Sequence, residues 1–549
     1  MREERDLAVP MRDGTVLRAD AYLPDDGDPA PAVVCRTPYN RGFPLTPLAA
    51  LDPERATEAG IAVVVQDVRG LYDSEGEFSP FFSEGDDGYD TVEWVAAQPW
   101  CDGNVGMVGR SYPAATQWRA ALERPPHLRA ISPVVVGSDY YHGWIYQGGA
   151  FQLGFNLFWV HLMTDPKGRG SLDEHFRHLP VTDPPLLAES PAGRFYREWV
   201  EHPTYDEHWR RLSIRGRYGD VQVPAFIVGG WFDVFLGGTL ENFAGMRTEG
   251  GTAAARERTR LLIGPWAHGS AFGAYPDHGF KELGPDDRID LAEQQLRFLA
   301  AQLRDEPDDA GAPIRIFVMG ANEWRDEPEW PLPRAREQAW HLRTDGLLSP
   351  EPPGPGEAPD EYDYDPRDPA PTIGGPTSLP ARFMRQNAGP LDQAPVEKRD
   401  DVLVYSSEPL AEPMEVTGPL TLVLHAATSG PDTDWVAKLC DVDPEGRSRV
   451  LAEGVLRARY RDGFERAAPL EPGRPYEYEI DLIATSNVFA AGHRIRLDVT
   501  SSSFPRFDRN ANTGLPLGED TDETLTTARQ RVFHDAERPS RLLLPVVPL

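Results

Sequence analysis

Hydrophobic and polar residues alternate along the first part of the chain, and short, almost wholly apolar runs follow. The alternation at residues 7–11 and 16–23, on either side of an Asp13-Gly14 pair, predicts a β-hairpin. The apolar runs at residues 31–35 and 61–65 are rich in β-branched side chains. Such runs are typical of strands in a parallel sheet that is covered on both faces.

Strand and helix patterns then alternate along the chain. Further strands are predicted at residues 105–108, 224–228, 261–263 and 314–318, the last of which closes the sheet. Apolar positions at helical spacing predict helices at residues 87–97, 114–123 and 290–303. This alternation predicts an α/β domain with a doubly wound sheet.

Two other parts of the chain break this pattern. Residues 138–222 are rich in aromatic residues, His and Arg at helical spacing, which predicts an inserted helical cap. A polar stretch at residues 349–372 predicts a loop or linker. The short strands beyond it predict an all-β sandwich, a jelly roll, with strands at residues 420–425, 435–442, 455–460, 476–482, 495–500 and 542–547.

We therefore divide the chain into three predicted domains. The α/β domain comprises residues 1–137 and 223–335, the helical cap comprises residues 138–222, and the jelly-roll domain comprises residues 336–549. A chain of 549 residues is too long for a single hydrophobic core, in agreement with this division.

Charge and composition exclude several classes of partner. A formal net charge of −32 argues against binding to nucleic acid or to an anionic membrane, since both require a positive surface. Neither a signal peptide nor a membrane-spanning run is found, so we expect a cytoplasmic protein. The acidic run at residues 84–87 is interpreted as solvated surface rather than a calcium site. The three cysteines, Cys35, Cys101 and Cys440, are too far apart to indicate a disulfide framework or a zinc site.

Three candidate catalytic residues, Ser111, Asp233 and His268, come shortly after three of the predicted strands. Ser, Asp and then His is the chain order of the catalytic residues in α/β-hydrolases. The motif around Ser111 is incomplete, because Pro113 occupies the position of the last glycine in G-x-S-x-G, and a lone Gly-x-Ser carries little information. A strand before it, a helix after it and two matching partners favour a nucleophile over a helix cap.

Such a nucleophile needs two donors for the oxyanion that forms during acyl transfer. The backbone N–H of Tyr112, directly after Ser111, is the first candidate. The second is expected from the loop after the strand at residues 31–35, where the hydroxyl of Tyr39 is available. From the residues alone, Tyr39 is equally well interpreted as a packing side chain.

Motifs along nearly the whole chain resemble one hydrolase family. They include Gln66-Asp67-Val68-Arg69-Gly70, Gly230-Trp231-Phe232-Asp233, Gly264-Pro265-Trp266-Ala267-His268, Asp432-Thr433-Asp434-Trp435 and Ser503-Phe504-Pro505-Arg506-Phe507. These motifs are similar to those of the cocaine esterase-like (CocE/NonD) hydrolases, relatives of the X-prolyl dipeptidyl peptidases and the α-amino acid ester hydrolases. The resemblance implies an α/β-hydrolase domain, a helical cap and a C-terminal jelly roll.

The resemblance also implies roles for single residues. Ser111 matches the family's nucleophile, Asp233 and His268 match its partners, and Tyr39 matches the tyrosine that completes the oxyanion hole. It further implies an aromatic acyl pocket formed by Trp144, Trp159 and Phe235, whose alternative interpretation is core packing. A jelly-roll loop at residues 377–383 corresponds to one that reaches the family's site, but its sequence diverges and no residue is carried over. Arg110 either favours an anionic substrate or points outward to an acidic partner.

These observations predict a serine hydrolase that cleaves carboxylic esters with an apolar or aromatic acyl group. Val234, Phe235 and Leu236 follow Asp233 where α-amino acid ester hydrolases carry acidic residues, which argues against ammonium recognition. Amidase or acylase activity, X-prolyl dipeptidyl peptidase activity, and an inert binding protein remain the alternatives. We expect a small-molecule ester or amide substrate, and no metal or organic cofactor. A homodimer is compatible with the resemblance.

Overall fold

The computed structural model describes residues 1–25, 27–43, 46, 51–164, 172–188, 190, 192–268, 289–307, 311–380 and 386–548. The strands of the N-terminal half are, in chain order, β1 (Arg2–Pro10), β2 (Val16–Leu23), β3 (Ala30–Thr37), β4 (Ala62–Asp67), β5 (Cys101–Arg110), β6 (Leu128–Val134), β7 (Tyr146–Gln147), β8 (Ala150–Phe151), β9 (Phe226–Phe232), β10 (Arg260–Ala267), β11 (Ile314–Val318) and β12 (Glu323–Glu327).

Ten of these strands form one sheet, in the order β1-β2-β4-β3-β5-β6-β9-β10-β11-β12. The antiparallel pairing of β1 with β2 confirms the predicted hairpin. The strands from β4 to β11 in this order pair in parallel. Every residue of β3, β4 and β9 is buried, as continuous apolar runs require when helices cover both faces.

The helices of the described chain are α1 (Pro53–Glu58), α2 (Glu84–Ala96), α3 (Tyr112–Leu122), α4 (Leu153–Thr164), α5 (Asp173–Phe176), α6 (Ala192–Glu201), α7 (Glu207–Arg210), α8 (Leu236–Glu249), α9 (Ala253–Glu257), α10 (Leu291–Leu303) and α11 (Ala394–Glu397). Helices α4 to α7, with the β7–β8 hairpin, lie between β6 and β9, where the inserted helices are predicted. Among the described residues, no helix combines the length and apolar character needed to cross a membrane.

The C-terminal part is almost entirely β-structure. Its strands are β13 (Arg336–Arg343), β14 (Leu347–Ser349), β15 (Asp360–Tyr364), β16 (Gly375–Pro380), β17 (Gln386–Gly389), β18 (Val402–Ser406), β19 (Met414–Thr428), β20 (Asp434–Val442), β21 (Ser448–Arg457), β22 (Tyr476–Phe489), β23 (Arg494–Thr500), β24 (Ala528–Asp535), β25 (Arg538–Pro539) and β26 (Arg541–Val547). Twelve of them form one connected sheet and β16 pairs with β17, which confirms the all-β prediction.

Two predictions about single segments are wrong. β11 is not the last strand of the first sheet, because β12 pairs antiparallel along its edge. The stretch at residues 349–372 is not only a linker, because it contains β15, which pairs with β24. Both strands are rich in charged residues, and such side chains are common on strands at a sheet edge.

Candidate active site

Ser111 occupies a sharp turn between β5 and α3, with φ of 60° and ψ of −125°. A positive φ is uncommon for a residue with a side chain, and strained positions of this kind cluster at functional sites. The turn requires Gly109, because a Cβ there would lie 2.6 Å from the Cβ of Pro113. The Ser111 N–H donates to the carbonyl of Val134 at 2.9 Å, and the Ser111 carbonyl accepts the N–H of Ala114 at 2.8 Å. These bonds present the hydroxyl at the start of α3.

Two neighbouring strands bring Asp233 and His268 to this hydroxyl. Asp233 follows β9 directly, and His268 follows β10 directly. Nε2 of His268 lies 3.0 Å from Oγ of Ser111, and Nδ1 lies 3.0 Å from Oδ2 of Asp233. Oδ1 of Asp233 accepts the N–H of Phe235 at 2.7 Å. We assign the ring proton of neutral His268 to Nδ1, because that atom faces a carboxylate, which leaves Nε2 free to accept a proton.

Arg110 supports the segment that carries His268. Its guanidinium donates to the main-chain carbonyl of His268 at 2.5 Å. Burial lowers the pKa of Arg110, and the nearby carboxylate of Asp233 acts in the opposite direction. The sequence left two partners open for Arg110, an anionic substrate or an acidic side chain. In the structure its guanidinium binds a main-chain carbonyl instead.

The hydroxyl of Tyr39 lies beside Ser111. Tyr39 comes two residues after β3, and its hydroxyl accepts the indole N–H of Trp159 at 3.0 Å. Burial raises the pKa of Tyr39, while hydrogen bonds with Trp159 and Ser111 oppose that rise. The phenol therefore stays protonated and remains a donor. Trp159 lies nearly parallel to the ring of Tyr112, at an angle of 9° and a centroid distance of 5.9 Å.

Aromatic rings surround the imidazole of His268. The ring of Phe235 lies nearly perpendicular to it at a centroid distance of 4.9 Å, and the ring of Phe155 does so at 5.7 Å. Trp144 packs against Phe235 at 4.3 Å. Phe155 is absent from the predicted pocket, although its position four residues before Trp159 on α4 places both on one helix face. That spacing is the signal that would have found it.

The C-terminal domain reaches the helix that carries two of these rings. A Cβ on Gly154 of α4 would lie 2.2 Å from Cδ2 of Leu379, in β16. The predicted loop at residues 377–383 therefore begins in a strand that packs against α4. Residues 381–383 of that loop lie outside the described part of the chain.

The structure brings all eight predicted site residues into one contiguous set. They are Ser111, Asp233, His268, Tyr39, Tyr112, Trp144, Trp159 and Phe235. The arrangement is suited to proton transfer from a serine hydroxyl to an imidazole, next to an apolar surface.

One group of side chains outside this site resembles a metal-binding set. Glu397, Cys440 and Asp498, all in the C-terminal domain, place their ligand atoms within 4.8 Å of one another. Burial raises the pKa of Asp498 to about 8, and the charge of Lys438 opposes this rise. The ammonium of Lys438, itself buried, already supplies a positive charge at this point. We assign no metal to the group.

Comparison with known proteins extends over the whole chain. Residues 13–270 match the model of the X-Pro dipeptidyl-peptidase (S15) family, and residues 309–543 match that of the X-Pro dipeptidyl-peptidase C-terminal non-catalytic domain. The cocaine esterase of Rhodococcus sp. is 38% identical to this chain over 581 residues, which cover 98% of each protein.

Two solved structures share the full architecture. An aminopeptidase from the marine sediment archaeon Thaumarchaeota archaeon superposes with a TM-score of 0.87 at 29% identity, covering 100% of this chain and 96% of that one. An α-amino acid ester hydrolase superposes with a TM-score of 0.86 at 28% identity, covering 99% and 96%. These relatives share both the sheet that carries Ser111 and the C-terminal β-domain.

Proposed function

Because this chain belongs to the cocaine esterase family of hydrolases, we propose that it hydrolyses carboxylic esters through an acyl-enzyme formed on Ser111. One observation carries the proposal: His268 lies between Ser111 and Asp233, 3.0 Å from each. A serine hydroxyl is a weak nucleophile unless a base accepts its proton and a third group orients that base.

The reaction follows from the roles of these three side chains. His268 Nε2 accepts the proton of Ser111 while Oγ attacks the ester carbonyl, and Asp233 stabilises the imidazolium that forms. Nε2 then gives this proton to the leaving alcohol as the C–O bond breaks. In the second half, Nε2 accepts a proton from water, whose oxygen attacks the acyl-enzyme, and returns it to Ser111 as the acid leaves.

The oxyanion of each tetrahedral intermediate requires two donors. We assign these to the Tyr39 hydroxyl and the backbone N–H of Tyr112. The indole N–H of Trp159 occupies one lone pair of the Tyr39 oxygen, so the phenol proton is free for the oxyanion. The N–H of Tyr112 belongs to the first turn of α3, where amide protons have no intrahelical partner.

The aromatic surface indicates the class of substrate. Four of these rings, those of Trp144, Phe155, Trp159 and Phe235, are buried. Phe155 and Phe235 contact His268, the indole of Trp159 binds Tyr39, and Trp144 packs against Phe235. Rings in this arrangement favour a flat, apolar acyl group, as in benzoyl esters. The residues directly after Asp233 are apolar and buried, so they offer no carboxylate to a substrate ammonium.

Amide hydrolysis is the second candidate function. The match to the X-Pro dipeptidyl-peptidase model at residues 13–270 favours it, and the same nucleophile and base serve both reactions. Matched ester and amide substrates with a common benzoyl group separate the two. We expect the ester to be cleaved with the higher kcat/KM, whereas a preference for the amide would replace the esterase proposal.

The primary test is turnover of p-nitrophenyl and benzoyl esters by the wild type and by Ser111→Ala. We expect hydrolysis by the wild type, stoichiometric labelling by a fluorophosphonate, and loss of both in the variant. Ser501→Ala is the matched control, because Ser501 is also buried but lies in the C-terminal domain against Tyr362. Full activity in Ser111→Ala would refute the assignment of the nucleophile.

A further inference from the structure

A buried carboxylate connects the two segments that carry the assigned oxyanion donors. Glu84 is the first residue of α2, and only 1% of its surface is exposed. The Tyr112 hydroxyl donates to Oε1 at 2.7 Å, and the Arg36 guanidinium donates to Oε2 at 2.6 Å. One side chain therefore binds both the residue after Ser111 and the strand that leads to Tyr39.

The side chain of Tyr112 is held in place by more than its bond to Glu84. Its hydroxyl also accepts the main-chain N–H of Phe81 at 3.0 Å, so the phenol is bound both as donor and as acceptor. The ring of Phe81 stacks on Tyr112 with a centroid distance of 4.9 Å. Phe81 holds a φ of 73°, which is strained for a bulky residue. Burial and the charge of Glu84 raise the pKa of Tyr112, so its hydroxyl remains a donor.

Arg36, the second partner of Glu84, belongs to the strand that leads into the loop of Tyr39. Arg36 lies near the end of β3, three residues before Tyr39, and its side chain is fully buried. Its Nε donates to Oε1 of Gln66, in the neighbouring strand β4, at 2.7 Å. Asp87 is the other carboxylate near the guanidinium, at 3.7 Å. Glu84 is thus the closest counter-charge to Arg36 in the described structure.

We propose that Glu84 is a positioning residue that sets the separation of the two oxyanion donors, the Tyr112 N–H and the Tyr39 hydroxyl. This inference rests on the proposed function. Glu84 acts from behind the site, through the phenol of Tyr112 and the guanidinium of Arg36. A displacement of about 1 Å between reacting groups and donors costs on the order of 100-fold in rate. The loss should fall on kcat, because the oxyanion exists only in the transition state and the intermediate.

The decisive variant is Tyr112→Phe, which removes the bonds of the hydroxyl to Glu84 and to the Phe81 N–H and keeps both the ring and the backbone N–H of Tyr112. We expect kcat to fall about 10- to 100-fold with KM within about threefold of the wild type. A phenylboronic acid, which forms a tetrahedral adduct on the nucleophile, should bind more weakly by a similar factor. Glu84→Gln should act in the same direction, but it leaves the Arg36 charge without its closest partner. If Glu84→Gln does not fold, Tyr112→Phe alone decides.

Tyr405→Phe is the matched control. The Tyr405 hydroxyl donates to a carboxylate oxygen of Asp360 at 2.7 Å, a tyrosine–carboxylate bond of the same length in the C-terminal domain. Its loss should lower the melting temperature without changing kcat.

A value of kcat in Tyr112→Phe within twofold of an active wild type would overturn the inference and leave the esterase proposal intact. An equal loss of kcat in Tyr405→Phe would also overturn it, since general destabilisation would then explain the result. A wild type that is neither active nor labelled at Ser111 would overturn both.

Discussion

Tyr39→Phe tests the assigned oxyanion hole most directly, because it removes one oxygen atom and leaves the ring in place. The hydroxyl that is lost accepts the Trp159 indole N–H at 3.0 Å and lies close enough to Ser111 for that residue to oppose the rise of the Tyr39 pKa. His268 and Asp233 are untouched by the change. The nucleophile and its base therefore remain assembled while one of the two assigned donors disappears.

The expected magnitude follows from the number of donors. Removing one of two oxyanion donors typically costs about 2.7–4 kcal/mol in the transition state, or about 10²- to 10³-fold in kcat. Trp159 would lose the acceptor of its indole N–H, which costs roughly 1–3 kcal/mol of stability where the group stays buried. That loss is smaller than the roughly 5–15 kcal/mol by which ordinary domains are stable, so the variant should fold.

The assay compares kcat and KM for a benzoyl ester at fluorophosphonate-titrated enzyme concentrations, with circular dichroism as the check on folding. The wild type should show no loss of activity from ionisation of Tyr39 below pH 10, because burial raises the pKa of this phenol above its usual value near 10. A kcat within threefold of the wild type, with unchanged binding of phenylboronic acid, would refute the assignment of Tyr39 as an oxyanion donor.

Two further predictions concern the proposed acyl pocket and helix α7. Phe235→Leu should lower the kcat/KM for benzoyl esters, relative to that for acetyl esters, about tenfold, because Phe235 contacts both Trp144 and His268. An unchanged ratio would contradict the acyl-pocket assignment. Burial lowers the pKa of His208 in α7 to about 4, whereas the pKa of a histidine in the unfolded chain is about 6.5. As pH falls from 6.5 towards 4, the unfolded state binds a proton that the folded state does not, so the free energy of unfolding decreases. In urea unfolding, the free energy of unfolding of the wild type should fall by up to about 2 kcal/mol more between pH 7 and pH 5 than that of His208→Phe. An equal fall in the two proteins would contradict this prediction.

The sequence predicted the centre of the sheet well because hydrophobic patterning there has one interpretation. The run at residues 61–65 is apolar at every position, and all five side chains are buried. Two edge strands, β12 and β15, were missed because edge strands are held by backbone hydrogen bonds and carry polar side chains. In β15 the only apolar signal is the alternation of Tyr362 and Tyr364, both buried, within an acidic and proline-rich stretch.

The acidic run at residues 84–87 shows that charged residues in a sequence do not always lie on the protein surface. Its interpretation as solvated surface is wrong for two of its members, since Glu84 and Asp87 are each only 1% exposed. The two lie three residues apart and share the inner face of α2, whereas Asp86 is exposed. Their partners, Arg36 and Arg69, come from distant parts of the chain. Composition alone does not show which carboxylates of such a run have buried partners.

The aromatic surface depends on the C-terminal domain, although that domain supplies none of the eight predicted site residues. Trp144 comes just before the β7–β8 hairpin, and α4, which carries Phe155 and Trp159, comes just after it. The hairpin is bound to the C-terminal domain: the carbonyl of Gly148 accepts the N–H of Arg457 at 2.8 Å, and the N–H of Phe151 donates to Asp508 at 2.9 Å. A Cβ on Gly148 would lie 1.8 Å from the carbonyl oxygen of Val455, so the contact leaves no space for any other residue. Trp144 on one side and α4 on the other therefore flank a hairpin that is hydrogen-bonded to the β-domain, so the contact with that domain limits how far their rings can move apart.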